Sequence, residues 1–311
     1  MSLFSVTAWP ATPSPEDPAV VRMEWYAAVA RWAPSKHNTQ PWSFVVGEDS
    51  LEIWPDPARD PPDADPRLRE LVLACGAATE LACVAIRAVG HEPEVELLPD
   101  GPGGALARLR EGGARVVSDA DRALCAAIAS RRTDRGPLDA SGLGTDLPFL
   151  LQRAAGAHGV GLRLISSLED RAAVARLVER ADRMQAGRGD VEPQPTPQPT
   201  PRPGGAPNSR PGADRPIVGV LWTDGDEPLD WLRAGRGLAA VLLLATNRGA
   251  SASYLNQPIE QRELRNEVRE HLSLGGPPQL ILRIGAGGPV LPTPRRSVED
   301  VVVRRVAEDS D

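Results

Sequence analysis

Two long apolar segments set the tightest limit on how this 311-residue chain can fold. Residues 68–89 and 231–248 are rich in alanine and leucine. Each reads as a buried helix that stops at a glycine, Gly90 or Gly249, the residue most at ease in a left-handed cap. In each segment a second glycine, Gly76 or Gly235, lies fourteen residues before the capping one. A glycine inside a helix costs about 1 kcal/mol relative to alanine, so the repeated placement asks for a reason. Close approach of another helix supplies one. A short strand-like stretch follows each segment, so the chain reads as a duplication with two closely packed central helices.

The flanking elements fit that reading. A helix over Val21–Trp32 places Val21, Trp25, Ala28, Val29 and Trp32 at helical spacing. It ends at Ala33-Pro34-Ser35, because a residue before proline is biased away from the helical region. Trp42–Val46, Leu51–Trp54 and Val95–Leu98 read as strands, and 56–66 as an Asp/Pro-rich loop. After Asp119 the order begins again, with helices at Arg122–Ser130, Leu147–Ala157 and Leu168–Met184 and a strand at Leu162–Ile165. Residues 189–215, with a run of prolines from Pro193 to Pro211, predict an extended or disordered excursion that folding does not need. Then come a strand at Ile217–Trp222, the second long helix, a helix at Gln261–His271 and a strand at Leu280–Ile284.

Composition excludes several functions. A net charge of −7 disfavours nucleic-acid binding, which needs a basic face. No stretch approaches the ~20 continuous apolar residues of a membrane span, and the first residues lack a secretory signal pattern. The expectation is a soluble, cytoplasmic protein acting on neither membrane nor nucleic acid. Cys75, Cys83 and Cys125 show no metal-ligand spacing, and Cys75 and Cys83 read as core packers on one helix face. The four histidines are scattered, and neither a catalytic triad nor a metal set stands out.

The densest polar cluster is Ala33-Pro34-Ser35-Lys36-His37-Asn38-Thr39-Gln40-Pro41-Trp42. Two prolines hold its backbone, Ser35, Asn38 and Gln40 offer donors and acceptors, and Lys36 is the chain's one lysine. Two readings stand: an ordinary capped turn, or a rigid loop suited to a heteroaromatic ring with hydrogen-bonding edges. The arginine groups at 131–135 and 295–296 likewise read as solvated surface or as anion ligands.

The segment APSKHNTQPW resembles the flavin-edge loop of the nitroreductase superfamily. With LACGAATELACVAIRAVG, NQPIE, PQLILRIG and PTPRRSVEDV, the chain looks like its tandem Acg-type branch from about residue 22 to 303. The resemblance implies an α+β, nitroreductase-like fold of two tandem half-units forming an intrachain pseudo-dimer. Residues 1–118 would be a degenerate half carrying the edge loop. Residues 119–303 would carry the phosphate motifs, interrupted by 189–215. It also implies FMN. Pro34, Ser35, Lys36, Asn38 and Gln40 would line the ring. Arg131, Arg132, Thr133 and Arg135 match the family's R-R-S-x-R phosphate element, with threonine where serine is usual, and Arg295 and Arg296 its C-terminal basic pair. Leu255, Asn256 and Gln257 would form the loop that offers a backbone N–H toward flavin N5.

The halves are unequal. The first lacks an RRTDR-like element, and in the second the edge loop is replaced by Ala155-Gly156-Ala157-His158-Gly159-Val160. The expectation is a fused dimer keeping one complete FMN site, monomeric or a weak homodimer. Activity would be hydride transfer from NAD(P)H to a nitroaromatic, a quinone or another small molecule, with no side chain needed as nucleophile or base. Lys36 would stabilise reduced flavin, orient substrate, or lie on the surface. Two alternatives remain: a non-catalytic flavin-binding or sequestering protein, and an oxidative tailoring enzyme in which oxygen reoxidises the flavin. The short proline-rich region also departs from the longer lid of that branch.

Overall fold

A computed structural model of the chain describes residues 9–60, 67–186 and 215–305. The proline-rich excursion lies outside the described residues except for Arg215, as do residues 61–66 of the Asp/Pro-rich loop. In chain order the elements are α1 (Ala19–Ala30), β1 (Trp42–Val46), β2 (Ser50–Pro55), α2 (Arg69–Val89), β3 (His91–Leu97), β4 (Ala107–Ala114) and α3 (Asp119–Ser130). They continue with α4 (Leu147–Gly156), β5 (Gly161–Ile165), α5 (Leu168–Ala186), β6 (Ile217–Trp222), α6 (Pro228–Asn247), β7 (Ser251–Tyr254), α7 (Arg262–His271), β8 (Pro278–Gly285) and β9 (Val302–Arg304). The chain is α+β. It divides into unit 1 (Met1–Arg131, Glu227–Leu243 and Pro292–Asp311) and unit 2 (Arg132–Asp226 and Leu244–Leu291).

Unit 1 holds a five-stranded sheet of order β3-β4-β2-β1-β9, antiparallel except for β9, which runs parallel to β1 with Phe44 opposite Val302. Alternate residues of β1 point inward, so Trp42, Phe44 and Val46 are buried with Leu51 and Ile53 of β2. Helix α2 is long and apolar enough to cross a membrane, but 89% of its most apolar window is buried inside the fold. Cys75 and Cys83 are fully buried on it, as the sequence suggests. Burial pushes both thiols up, Cys83 to about 12, which leaves no thiolate for chemistry. Gly90 ends α2 at φ +97°, a conformation that favours glycine.

The interior glycines behave as their spacing predicts. A Cβ built on Gly76 would lie 2.3 Å from the Leu232 carbonyl oxygen, and one on Gly235 would lie 2.0 Å from that of Leu73. Within unit 1, α2 and the start of α6 touch backbone to backbone, which only glycine permits at both crossings.

Unit 2 holds a four-stranded antiparallel sheet, β5-β6-β8-β7. Val220 and Ile281 from the sheet pack with Val174 of α5 and with Leu264 and Val268 of α7. Setting aside α3, α5, α7 and β9, the element order α1-β1-β2-α2-β3-β4 recurs as α4-β5-β6-α6-β7-β8. The sheet order β3-β4-β2-β1 recurs as β7-β8-β6-β5. Three strands escape the sequence reading: β4 entirely, β9 entirely, and β7 except as a strand-like stretch after Gly249.

Candidate functional site

In unit 1 the loop 33–42 joins α1 to β1 through a single 3-10 turn, Lys36–Asn38. His37, Asn38 and Gln40 have φ of 50°, 59° and 51°. A non-glycine residue in that region costs on the order of 1–3 kcal/mol, least for asparagine, and persists only where its surroundings over-determine it. The surroundings do. Ser35 Oγ accepts from Gln40 N at 2.9 Å, and Thr39 N donates to Lys36 O at 3.0 Å. Arg59 Nε donates to Thr39 O at 2.7 Å.

The rest of the clamp comes from the far end of the chain. Asn38 donates to Pro294 O at 3.1 Å and accepts from Arg295 Nη1 at 3.0 Å. Gln40 Oε1 accepts from Arg296 N at 2.9 Å. Arg296 donates through its guanidinium to the carbonyls of Gln40 and Trp42, each at 3.2 Å, and to Asp300 O at 2.6 Å. The side chains of Asn38 and Gln40 are therefore committed to holding the loop against an arm at 294–296. Pro34, Ser35 and Lys36 are half-buried beside them.

Arginines gather at this clamp. Helix α3, opened by a reciprocal cap between Ser118 and Asp121, delivers Arg131 at its C-terminal end. Arg131 Nη2 and Arg295 Nη2 both donate to Trp32 O, at 3.4 and 3.1 Å. Arg31, one residue back, is 1% exposed and donates to Arg296 O at 2.9 Å. Burial pulls the Arg31 guanidinium below its ordinary value, against the pull of Glu299. Burial and the charge of Arg59 do the same for Arg296, against Asp56 and Asp300. The indole N–H groups of Trp32 and Trp42 are buried with no hydrogen-bond partner among the described residues. An anion is what such a cluster of donors accommodates, because it offsets the desolvation of several guanidiniums at once.

Unit 2 carries the remaining sequence candidates and also brings them together. Thr133 forms a parallel bridge with Ala252 of β7, and Asp134 N donates to Ala252 O at 2.9 Å. Leu255, Asn256 and Gln257 follow β7 directly. Arg132 is half-buried, and burial lowers its guanidinium, whereas Arg135 is exposed. Leu255 N donates to Ile281 O, and Asn256 Oδ1 accepts from Ile281 N, both at 2.9 Å, so this side chain continues the β7–β8 pairing. The backbone N–H of Asn256 makes no hydrogen bond among the described residues. The Ser253 Oγ and Gln257 Oε1 atoms are buried with no hydrogen-bond partner among the described residues.

Sequence reasoning missed Arg31, Trp32 and Arg59 as parts of the clamp. Arg31 alone left a usable signal, as a charge on a helix end otherwise made of Ala, Val and Trp.

No family profile matches the chain. Among relatives, the Mycobacterium tuberculosis protein named "Putative NAD(P)H nitroreductase Rv3131" is 34% identical over 303 residues, 87% of this chain and 88% of that protein. The protein from the same organism named "Putative NAD(P)H nitroreductase acg" is 28% identical over 86% of this chain and 91% of its own length. Among solved structures, the FMN and NADPH-dependent nitroreductase NfnB from Sphigopyxis sp. strain HMH is 17% identical, with a TM-score of 0.44. The match covers 59% of this chain and 99% of that one, a likeness that by itself carries no argument.

Proposed function

The chain belongs to the nitroreductase family, and from that premise we propose that it is a cytoplasmic FMN-dependent oxidoreductase that uses NAD(P)H. The acceptor would be a nitroaromatic, a quinone or another oxidisable or reducible small molecule. The observation that carries the reading is the clamp in unit 1. A strained polar loop after α1 is locked by an arm from the end of the chain and surrounded by Arg31, Arg131, Arg295 and Arg296. Its donor set suits a phosphate dianion beside a flat polar ring. Bound FMN would supply the redox chemistry, accepting hydride and passing it on.

The residues of the chain bind and orient. Arg131 and Arg295 are assigned to the phosphate. Arg296, whose guanidinium holds three carbonyls, is assigned to fixing the loop that Pro34, Ser35, Lys36, Asn38 and Gln40 build. In unit 2, Arg132, Thr133 and Arg135 are assigned phosphate contacts by the family resemblance. The unbonded N–H of Asn256, between Leu255 and Gln257, is assigned to flavin N5.

We further propose one FMN per chain. The arm follows β8 and ends in β9 beside β1, whereas the first half passes from β4 straight into α3. The loop at 155–160 therefore has no corresponding arm among the described residues. Duplication of a half-unit, with one arm retained, accounts for the repeated sheet order.

Fluorescence titration tests this. The expected result is one FMN per chain, with Arg131→Ala weakening FMN roughly ten- to a hundredfold while riboflavin, which lacks the phosphate, is hardly affected. A stoichiometry near two would remove the single-site reading, and absence of binding would remove the flavoprotein reading. NAD(P)H oxidation with a quinone acceptor then separates an enzyme from a flavin-binding protein.

A further inference from the structure

We propose that Trp9 is a positioning residue for the phosphate side of the clamp in unit 1. It acts through Trp32, by holding the turn whose carbonyl the guanidiniums of Arg131 and Arg295 share. The inference rests on the flavin reading above for its ligand, though not for the turn itself.

The segment 9–18 forms neither helix nor strand, yet it is fastened back along α1. Pro10, Pro13, Pro15 and Pro18 restrict its backbone, so less chain entropy opposes its docking. Ser14 N donates to Asp17 Oδ2 at 2.8 Å and closes a turn. Arg22 is 9% exposed and paired with Glu111, and it also donates to the carbonyls of Pro15, at 2.8 Å, and Asp17. Trp25 Nε1 donates to Pro10 O at 3.4 Å. These fastenings deliver Trp9 to the far end of the helix. There its ring meets that of Trp32 at 5.6 Å and 57°, within the range of favourable aromatic pairs.

Trp32 lies beyond Ala30, the last residue of α1, in a turn closed by two short-range bonds. Trp32 N donates to Val29 O and Ala33 N to Ala30 O, each at 3.0 Å. Tightened last turns of this kind are where helices fray. The Trp32 carbonyl accepts from Arg131 and Arg295, at 3.4 and 3.1 Å. Its ring is engaged on one side by the Arg31 guanidinium, 5.8 Å from the centroid, and by Trp9. Fixing the ring steadies the turn, and the turn sets the direction of the carbonyl. The loop beyond is held independently, by Asn38 and Gln40 against the arm. Loss of Trp9 therefore acts on the two guanidiniums more than on the loop.

Trp9→Ala, Trp9→Leu and Trp9→Phe separate positioning from plain coverage of the helix. Dissociation constants for FMN and riboflavin would be measured by flavin fluorescence, and amide exchange by NMR on the flavin-free protein. Trp9→Ala is expected to weaken FMN by about three- to tenfold, the scale of one aromatic pair, and to leave riboflavin nearly unchanged. Without flavin, the amides of Trp32 and Ala33 should exchange faster by about the same factor. The Arg296 amide, bonded to Gln40 Oε1, should keep its protection. Trp9→Phe should restore both readouts, whereas Trp9→Leu, which keeps apolar cover without a ring, should not. Equal losses for both flavins, unchanged FMN affinity, or rescue by leucine as complete as by phenylalanine would overturn the proposal. If wild-type protein binds neither flavin, the flavin reading fails by itself, and amide exchange still decides. Faster Trp32 and Ala33 amides, restored by phenylalanine and not by leucine, would uphold the positioning role, and unchanged amides would overturn it.

Discussion

Replacing Gly235 by alanine is the sharpest test of the close helix crossing in unit 1. The added Cβ would lie 2.0 Å from Leu73 O and 2.8 Å from Ala77 N, whereas ordinary contact begins near 3.4 Å. Those two atoms are the acceptor and donor of one i to i+4 hydrogen bond of α2. The obstruction is therefore rigid backbone, and it cannot swing aside like a side chain. The helices must part by more than about 1 Å, which loosens packing around buried Leu73, Ala74 and Ala77. Overpacking of this kind costs about 1–3 kcal/mol, occasionally more, and here the upper end applies. Helix propensity returns about 1 kcal/mol, so the net loss should be roughly 2 kcal/mol and the melting temperature should fall by on the order of 5 °C. Thermal and urea unfolding would measure both. Gly156→Ala is the control: it lies in the last turn of α4, its Cβ would meet nothing within 4 Å, and it should be neutral or slightly stabilising. Gly76→Ala should behave like Gly235→Ala, and the double variant should cost less than the sum, since both push apart the same helices. A Gly235→Ala protein as stable as wild type would refute the crossing.

Asn38→Ala removes the bonds to Pro294 and Arg295 and leaves alanine at φ 59°. FMN and riboflavin should weaken alike, with a stability loss of about 1–3 kcal/mol; unchanged binding and melting would show that the loop does not depend on the arm. Glu111 supplies the pH test. Burial raises its carboxyl, but hydrogen bonds from Arg22, at 2.7 Å, and Tyr26 outweigh that and hold it below the ordinary value. Its contribution to stability is therefore full above the unfolded value of about 4.3 and is lost as pH falls through the lower folded value. Glu111→Gln should be less stable than wild type by about 1–3 kcal/mol at pH 7, and the gap should close in acid; a gap that persists unchanged at pH 3 would count against the assignment.

What the sequence made legible was whatever depends on local period and spacing. The burial of α2, the strands β1, β2, β5, β6 and β8, and the glycine pair at the crossing all follow from neighbours within a turn or two. Strand β4 did not, because Arg108 and Arg110 alternate with only a short buried set and the segment ends in Gly112 and Gly113. It becomes a strand because Ile53 and Leu51 of β2 offer Ala107 and Leu109 a buried pairing. Strand β9 is three residues long and exists only through its pairing with β1. The site divides in the same way. The loop 33–42 stood out as a polar cluster, but the purpose of its polar groups was hidden, since the partners of Asn38 and Gln40 lie more than 250 residues away in sequence. A sequence reader assigns those amides to a ligand, whereas the structure assigns them to the arm. What remains for a ligand is the backbone they shape and the guanidiniums collected behind it. The conspicuous amides are thus spent on contacts within the chain, which no local pattern in the sequence reveals.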